Sequence, residues 1–347
     1  MTTTEKPSIL AVAGTRSLAS SLQGLGIMHT RMKQVKNELD CLLYPGSQDS
    51  ILMVCGPTGV GISSLARYLV KMENERCLAD MQSDAGFIPA IYVEARSSGE
   101  DGFSWRLFYQ SVLEQLDSEL ELPKYDYGVD SSTGRMTSTR SPRDRTLAGL
   151  RTSLERALRY RKTRFLVLDE AAHICHQTGR NRLKIQLDTL KSLANQAGVQ
   201  IVLVGSYDLF ELMSLSGQLA RRTHVVHFER YRQDKDDDIL AFRGCVKQFQ
   251  DAASSLWGQG LMPHCDVLHD NTLGCIGTLS AVLTRAARLA ENDGKWSTEH
   301  LRTALLSELQ RQRILEEILD GEAAINPALT RLLPKRPKAR NQQQKAA

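Results

Sequence analysis

Five short runs of apolar, largely β-branched residues punctuate the first two thirds of the chain: Ile51–Cys55, Ile88–Glu94, Arg164–Leu168, Gln200–Val204 and His224–Phe228. Stretches such as FLVL and IVLV leave no polar face, which predicts strands buried on both sides. Between the runs, apolar positions recur at helical spacing over 62–75, 103–121, 145–160, 181–197 and 207–218. Strand alternating with helix means βαβ units and a mostly parallel sheet. Ligands of such sheets sit beyond the carboxyl ends of the strands. A further helical stretch, about 28–43, precedes the first strand. Residues 123–145 interrupt the alternation with Pro123, Gly128, Gly134, Pro142 and many Ser, Thr and Arg, and read as a long exposed loop. After Phe228 the strand pattern stops, and 234–256, 277–291 and 298–320 read as helices. The expected division is an N-terminal extension over 1–27, an α/β core over 28–230, an all-helical domain over 231–320 and a tail over 321–347.

Composition narrows the class without changing this picture. The 347 residues are 41% hydrophobic and 24% charged, ordinary for a water-soluble globular chain. No apolar run reaches the roughly 18 residues of a membrane span. The apolar stretch Ile9–Ala13 is shorter than a signal-peptide core, so the expectation is a chain that is not exported. Seven cysteines without CxxC spacing argue against a disulfide scaffold and for a reducing cytoplasm. Charge is more telling once divided. The chain carries +4, but Arg331, Lys335, Arg336, Lys338, Arg340 and Lys345 put +6 in the last 17 residues and leave −2 on the rest. That tail, with its prolines and glutamines, reads as a disordered segment, solvated or a tether for an acidic partner.

The candidate chemistry begins where the first strand ends. Gly56-Pro57-Thr58-Gly59-Val60-Gly61-Ile62-Ser63-Ser64 is a strand–loop–helix junction that follows the GxxxxGK[ST] pattern of a phosphate loop at every position but the lysine. Its glycines let backbone N–H groups turn inward as an anion nest, and the helix N-terminus adds partial positive charge. Ser63 stands where a Mg²⁺-binding hydroxyl belongs. Ile62 stands where the lysine belongs. Losing one charge-assisted hydrogen bond costs about 1.5–3 kcal/mol. Phosphoryl transfer rests on positioning and electrostatics, so the substitution argues against hydrolysis more than against the fold. The third strand ends Leu168-Asp169-Glu170, an acidic pair suited to Mg²⁺ (Asp169) and to a general base for water (Glu170). Ser206 at the tip of the fourth strand is placed to orient that water. Arg221 and Arg222 lie just before the fifth strand and are candidates for arginine fingers reaching a neighbouring subunit.

Two sets of residues carry less. His173, Cys175 and His176, and again His264, Cys265 and His269, cluster without a standard zinc spacing. Arg135, Arg143 and Arg145, with Arg140, crowd the 123–145 segment among Ser and Thr, a mix suited to DNA phosphates or simply to solvent.

Three blocks resemble the TniB/TnsC group of transposon-encoded AAA+ ATPases. They are ILMVCGPTGVGISSL, then FLVLDEAAHI with His173 in a DE-x-x-H arrangement, then IVLVGS, SGQLARR and GCIGTLSAVLTRA at 274–286. The resemblance implies an AAA+ P-loop core with a five-stranded, mostly parallel sheet and a helical lid. It implies ATP and Mg²⁺ as cofactors and a bacterial cytoplasmic protein that assembles on double-stranded DNA as a ring or filament. It further implies that the assembly marks a target and recruits or activates a DDE transposase, with a target-selector protein or an RNA-guided complex as a further partner. Against the group's pattern, Ile62 replaces the loop lysine, and Ser280 stands where a sensor-2 Arg or Lys is common. The alternatives are a non-hydrolysing DNA-loading adaptor, or an AAA+ protein of another DNA transaction such as replication initiation or plasmid maintenance.

Overall fold

The computed structural model describes residues 17–23, 25–43, 51–95, 103–116, 125–129, 133–134, 136–140, 146–174, 180–210 and 223–325. The chain forms two compact units. The α/β unit comprises Arg31–Thr58, Ile62–Glu229 and Gln312–Ala347. The helical unit comprises Met1–Thr30, Gly59–Gly61 and Arg230–Arg311.

The sheet of the α/β unit is built on strands β1 (Ile51–Cys55), β2 (Ala90–Glu94), β5 (Phe165–Asp169), β6 (Gln200–Gly205) and β7 (Thr223–His227), while β3 (Tyr125–Val129) and β4 (Met136–Arg140) stand apart from it. All five are parallel, in the order β2-β5-β6-β1-β7. Burial follows position. β1 and β5 are buried at every residue, whereas the edge strand β2 leaves Tyr92 and Glu94 partly or fully exposed and β7 buries only Val226. The uninterrupted apolar runs therefore mark the centre of the sheet. The helices Trp105–Gln115, Leu147–Tyr160 and Arg180–Ala197 contribute Val112, Leu154 and Leu190 to one large apolar cluster with the strands. Helix Ile62–Arg76 lies against β2, β5 and β6. It does so through Ile62, Leu65, Ala66, Leu69 and Glu73, spaced to share one helical stripe.

Residues 123–145 depart from the expectation of a loop. β3 (Tyr125–Val129) and β4 (Met136–Arg140) form an antiparallel hairpin, with Tyr125 opposite Arg140 and Val129 opposite Met136. A two-stranded ladder is held by backbone hydrogen bonds, which the polar Ser/Thr-rich sequence of β4 makes as well as an apolar one. The helix expected over 207–218 begins as a short 3₁₀ turn, Tyr207–Phe210, and its remainder lies outside the described residues.

In the helical unit, Leu18–Gln23 buries Ala19 and Leu22 against helix Ile276–Asp293, so part of the N-terminal extension belongs to this core. The helix expected over 298–320 is two helices, Thr298–Ala304 and Glu308–Ile325. The break is clasped by Asn271, whose side chain accepts from Leu306 N at 2.9 Å and donates to Leu306 O at 3.0 Å. The second helix then restarts from a capping box, Ser307 with Gln310. It runs to Ile325, beyond the boundary expected at residue 320.

Candidate functional site

The loop between β1 and helix Ile62–Arg76 has the backbone of an anion cradle. Gly59 and Gly61 adopt φ of +82° and +113°, conformations that L side chains rarely reach. A Cβ on Gly61 would meet nothing within 4 Å, so glycine is needed there for its φ and not for lack of space. At Gly56 the requirement is closeness: a Cβ would lie 2.4 Å from the Phe228 carbonyl oxygen, while Phe228 N donates to Cys55 O at 2.9 Å. Pro57 and Val60 are buried and Thr58 is exposed. Ser63 is half-buried on the first turn of the helix, and Ser64 is exposed.

Within the helical unit, Gly59 O accepts a 2.9 Å hydrogen bond from Thr278 N. A Cβ on Gly277 would approach that same oxygen to 2.6 Å, so glycine is needed at both ends of the contact. Ser280, half-buried, follows on the same helix. Arg285 is exposed, and Arg288 donates to Gln23 at 2.8 Å.

Ile62 is only 8% exposed, and its Cδ1 would stand 3.3 Å from a Cβ on Gly56. The side chain at the lysine position is therefore packed back against the root of the loop. The loop offers a phosphate its backbone N–H groups and a helix N-terminus, but no cation of its own. That donor set fits an anion bound by dipoles.

The acidic half of the site sits at the end of β5. Asp169 is 2% exposed. Its Oδ1 accepts from the Glu170 backbone N–H at 2.9 Å, and its Oδ2 accepts from the Tyr92 hydroxyl at 2.7 Å. Each carboxylate oxygen keeps a lone pair, so an oxygen-seeking cation such as Mg²⁺ remains compatible with the group. Tyr92 is one strand over on β2, two residues before Glu94, which pairs with Asp169. Burial first, and then the Asp169 hydrogen bond and charge, push its phenol pKa well up, so the hydroxyl stays a donor. Glu170 is exposed and holds φ of +52°, a left-handed conformation costly for a non-glycine residue. Such strain of about 1–3 kcal/mol is concentrated at functional positions.

Ser206 Oγ donates to Asp208 within its own turn at 3.2 Å. It lines a cavity of about 630 Å³ with Pro57, Thr58, Tyr207, Asp208 and the helix segment around Glu317 and Gly321. The structure thus joins Ser206 to the root of the phosphate-type loop. Asp169 and Glu170 do not line that cavity. The lining from helix Glu308–Ile325 was not legible in the sequence.

Several expected residues carry nothing further. Arg221, Arg222, Arg135, Arg143, Arg145, Cys175 and His176 lie outside the described residues, and of Arg140 only the backbone is described. No group of three His, Cys, Asp or Glu among the described residues is arranged to hold a metal. His269 packs edge-on to Phe242 with ring centroids 4.4 Å apart. Cys55 is fully buried, and burial raises its thiol pKa to about 12, leaving it an inert apolar filler. No described helix is long and apolar enough to cross a membrane.

Residues 46–213 match the family model described as an AAA domain. No curated protein matches the sequence. Among solved structures, the chain is similar to the ORC2 protein of Aeropyrum pernix in its ADPNP–ADP complexes. The TM-score is 0.53 at 15% identity, over 82% of this chain and 72% of that one. The ADP form of the same protein gives a TM-score of 0.49 at 15% identity, over 79% of this chain and 66% of that one. Domain III of the Thermotoga maritima replication initiation protein DnaA gives 0.44 at 12% identity, over 86% of this chain and 95% of that one.

Proposed function

We propose, from the premise that residues 46–213 carry an AAA domain on an AAA+ P-loop NTPase fold, that this protein is a nucleotide-responsive switch acting on double-stranded DNA. The reading is carried by the positive-φ glycines Gly59 and Gly61 of the loop after β1 and, separately, by the buried, doubly hydrogen-bonded Asp169 at the end of β5. In this reading the backbone of Gly56–Ile62 holds the phosphates of ATP, and Ser63 with Asp169 holds its Mg²⁺. The metal, when bound, neutralises phosphate charge that a loop lysine would otherwise offset. Glu170 orients and deprotonates water, Ser206 fixes its position, and Arg221 or Arg222 reaches the phosphates of a neighbouring copy. Nucleotide binding then governs head-to-tail assembly on DNA, whose phosphates meet the arginines of the 123–145 segment.

The finer reading is transposition: the assembly marks a target and presents it to a DDE transposase. It is supported by the sequence block around Asp169–His173 and by Gln218–Arg222 and Gly274–Ala286, the last two being blocks that a generic P-loop protein does not need. A second reading, a constitutive adaptor that binds DNA without turnover, is favoured by the inward packing of Ile62.

The test is DNA binding by the purified chain without nucleotide, with ADP, with ATP and with a non-hydrolysable ATP analogue, while released phosphate is counted. Assembly that depends on the nucleotide supports the switch, and phosphate release separates turnover from binding alone. Equal DNA binding in all four conditions without phosphate release leaves the adaptor. Stimulation of a co-encoded DDE transposase on target DNA tests the finer reading.

A further inference from the structure

Asp169 ends a directional chain of donors. Arg67 projects from helix Ile62–Arg76, the same helix whose first turn carries Ile62 and Ser63. Its Nη2 donates to the Tyr92 hydroxyl oxygen at 3.3 Å, and its guanidinium carbon lies 5.1 Å from the centre of the Tyr92 ring. The Tyr92 hydroxyl in turn donates to Asp169 Oδ2 at 2.7 Å. A donor that is itself hydrogen-bonded to a cation is polarised and becomes a stronger donor. The positive charge of Arg67 therefore acts on Asp169 through one phenol.

Packing alone does not call for this arrangement. Phenylalanine would fill the ring's place on β2, and what the hydroxyl adds is polar: it accepts from Arg67 and donates to a carboxylate that is 2% exposed. The two bonds to Asp169 come from different directions: Glu170 N on its own strand end and Tyr92 on the neighbouring strand. Together they fix the plane of the carboxylate and aim its remaining lone pairs. Partners of this kind, one layer out from a metal ligand, orient it and tune its affinity.

We propose that Tyr92 and Arg67 are positioning residues for Asp169, forming an arginine–tyrosine–aspartate relay that sets Mg²⁺ affinity at the nucleotide site. The inference rests on the nucleotide reading above. It places a cation on the helix that follows the loop, acting on the metal side of the site, while the lysine position itself is apolar. Arg67 acts through Tyr92, with no contact to phosphate of its own.

The experiment uses the full chain and a fluorescent ATP analogue. Nucleotide affinity is measured in EDTA, and the gain on adding Mg²⁺ is then titrated to its midpoint. In Tyr92→Phe the Mg²⁺ midpoint should rise about tenfold, with affinity in EDTA unchanged. Arg67→Met should move the midpoint in the same direction by less. The double variant should equal Tyr92→Phe alone, because Arg67 has no route that bypasses the phenol. Arg67 is exposed, so its variant reads out the relay even if Tyr92→Phe folds poorly. A lower melting temperature in Tyr92→Phe with an unmoved Mg²⁺ midpoint would make the contact a mere tether between helix and strand, and would overturn the inference. So would a loss of EDTA affinity in Arg67→Met, the mark of direct phosphate contact, or additive effects in the double variant. A wild-type chain that binds no nucleotide in either condition sinks the nucleotide reading and the relay with it. A wild-type response to Mg²⁺ that Tyr92→Phe leaves intact sinks the relay alone.

Discussion

The two halves of the candidate site are built on opposite principles. The loop half, Gly56–Ser64, is nearly all backbone: positive-φ glycines, a helix N-terminus, and an apolar side chain where a cation is expected. The acidic half is nearly all side chain: Asp169 with both oxygens bonded, Tyr92 behind it and Arg67 behind that. One half works through dipoles and the other through a charge network. Affinity for an anion can thus be divided between the halves, and a loop without its lysine need not be an empty relic when the metal side is held firmly.

The largest effect that would break this contrast is Ile62→Lys. Restoring a charge-assisted hydrogen bond is worth about 1.5–3 kcal/mol, so ATP should bind about 10- to 100-fold more tightly in a nucleotide titration. The same change removes a buried side chain worth about 1.5–3 kcal/mol, so the melting temperature should fall as affinity rises. If affinity does not move, the lysine position no longer faces a phosphate.

Gly61→Ala sharpens the contrast from the backbone side. There is room for the methyl group but not for the φ of +113°, so the loss comes through conformation rather than a clash. The expected cost is about 1–3 kcal/mol, seen as weaker nucleotide binding with or without Mg²⁺. The relay variants, by contrast, act only when Mg²⁺ is present.

The smallest effect is one of pH. Burial holds His227, whose residue on β7 pairs with Cys55 at the root of the loop, below the ordinary histidine value of 6.5. Nearby Glu229 and Glu322 oppose that shift and Arg31 adds to it. Burial lowers His269 in the helical unit likewise. The unfolded chain then takes up these protons first. The stability they contribute is complete above about pH 6.5 and is lost as pH falls through the depressed folded values. Melting curves should shift downward between pH 7.5 and 5.5, and His227→Gln should shrink the shift. An unchanged slope in that variant would count against a neutral buried ring.

The sheet was legible because its centre is written in continuous apolar runs, and each of the five expected strands appears within two residues of its place. The loop and the acidic pair were legible because strand ends carry their chemistry locally. The hairpin was not, since Ser and Thr signal exposure and a ladder asks only for backbone groups; the alternation in Tyr125-Asp126-Tyr127 was its one trace. The break before Glu308 was half legible. Ser307 and Gln310 spell a helix start, but the Asn271 clasp comes from 35 residues away. Tyr92 stands 77 residues from Asp169, and nothing in a run reading AIYVE marks its hydroxyl as a partner for a distant carboxylate. Long-range polar contacts set the site, and periodicity does not encode them.

The hydrogen bond from Thr278 N to Gly59 O gives the loop a clock. That amide proton is shielded only while the glycine carbonyl accepts it, so its exchange with heavy water counts the moments at which the contact lets go. One peptide of the helix Ile276–Asp293, followed by mass over minutes, would time the opening of the loop without a substrate or a substitution.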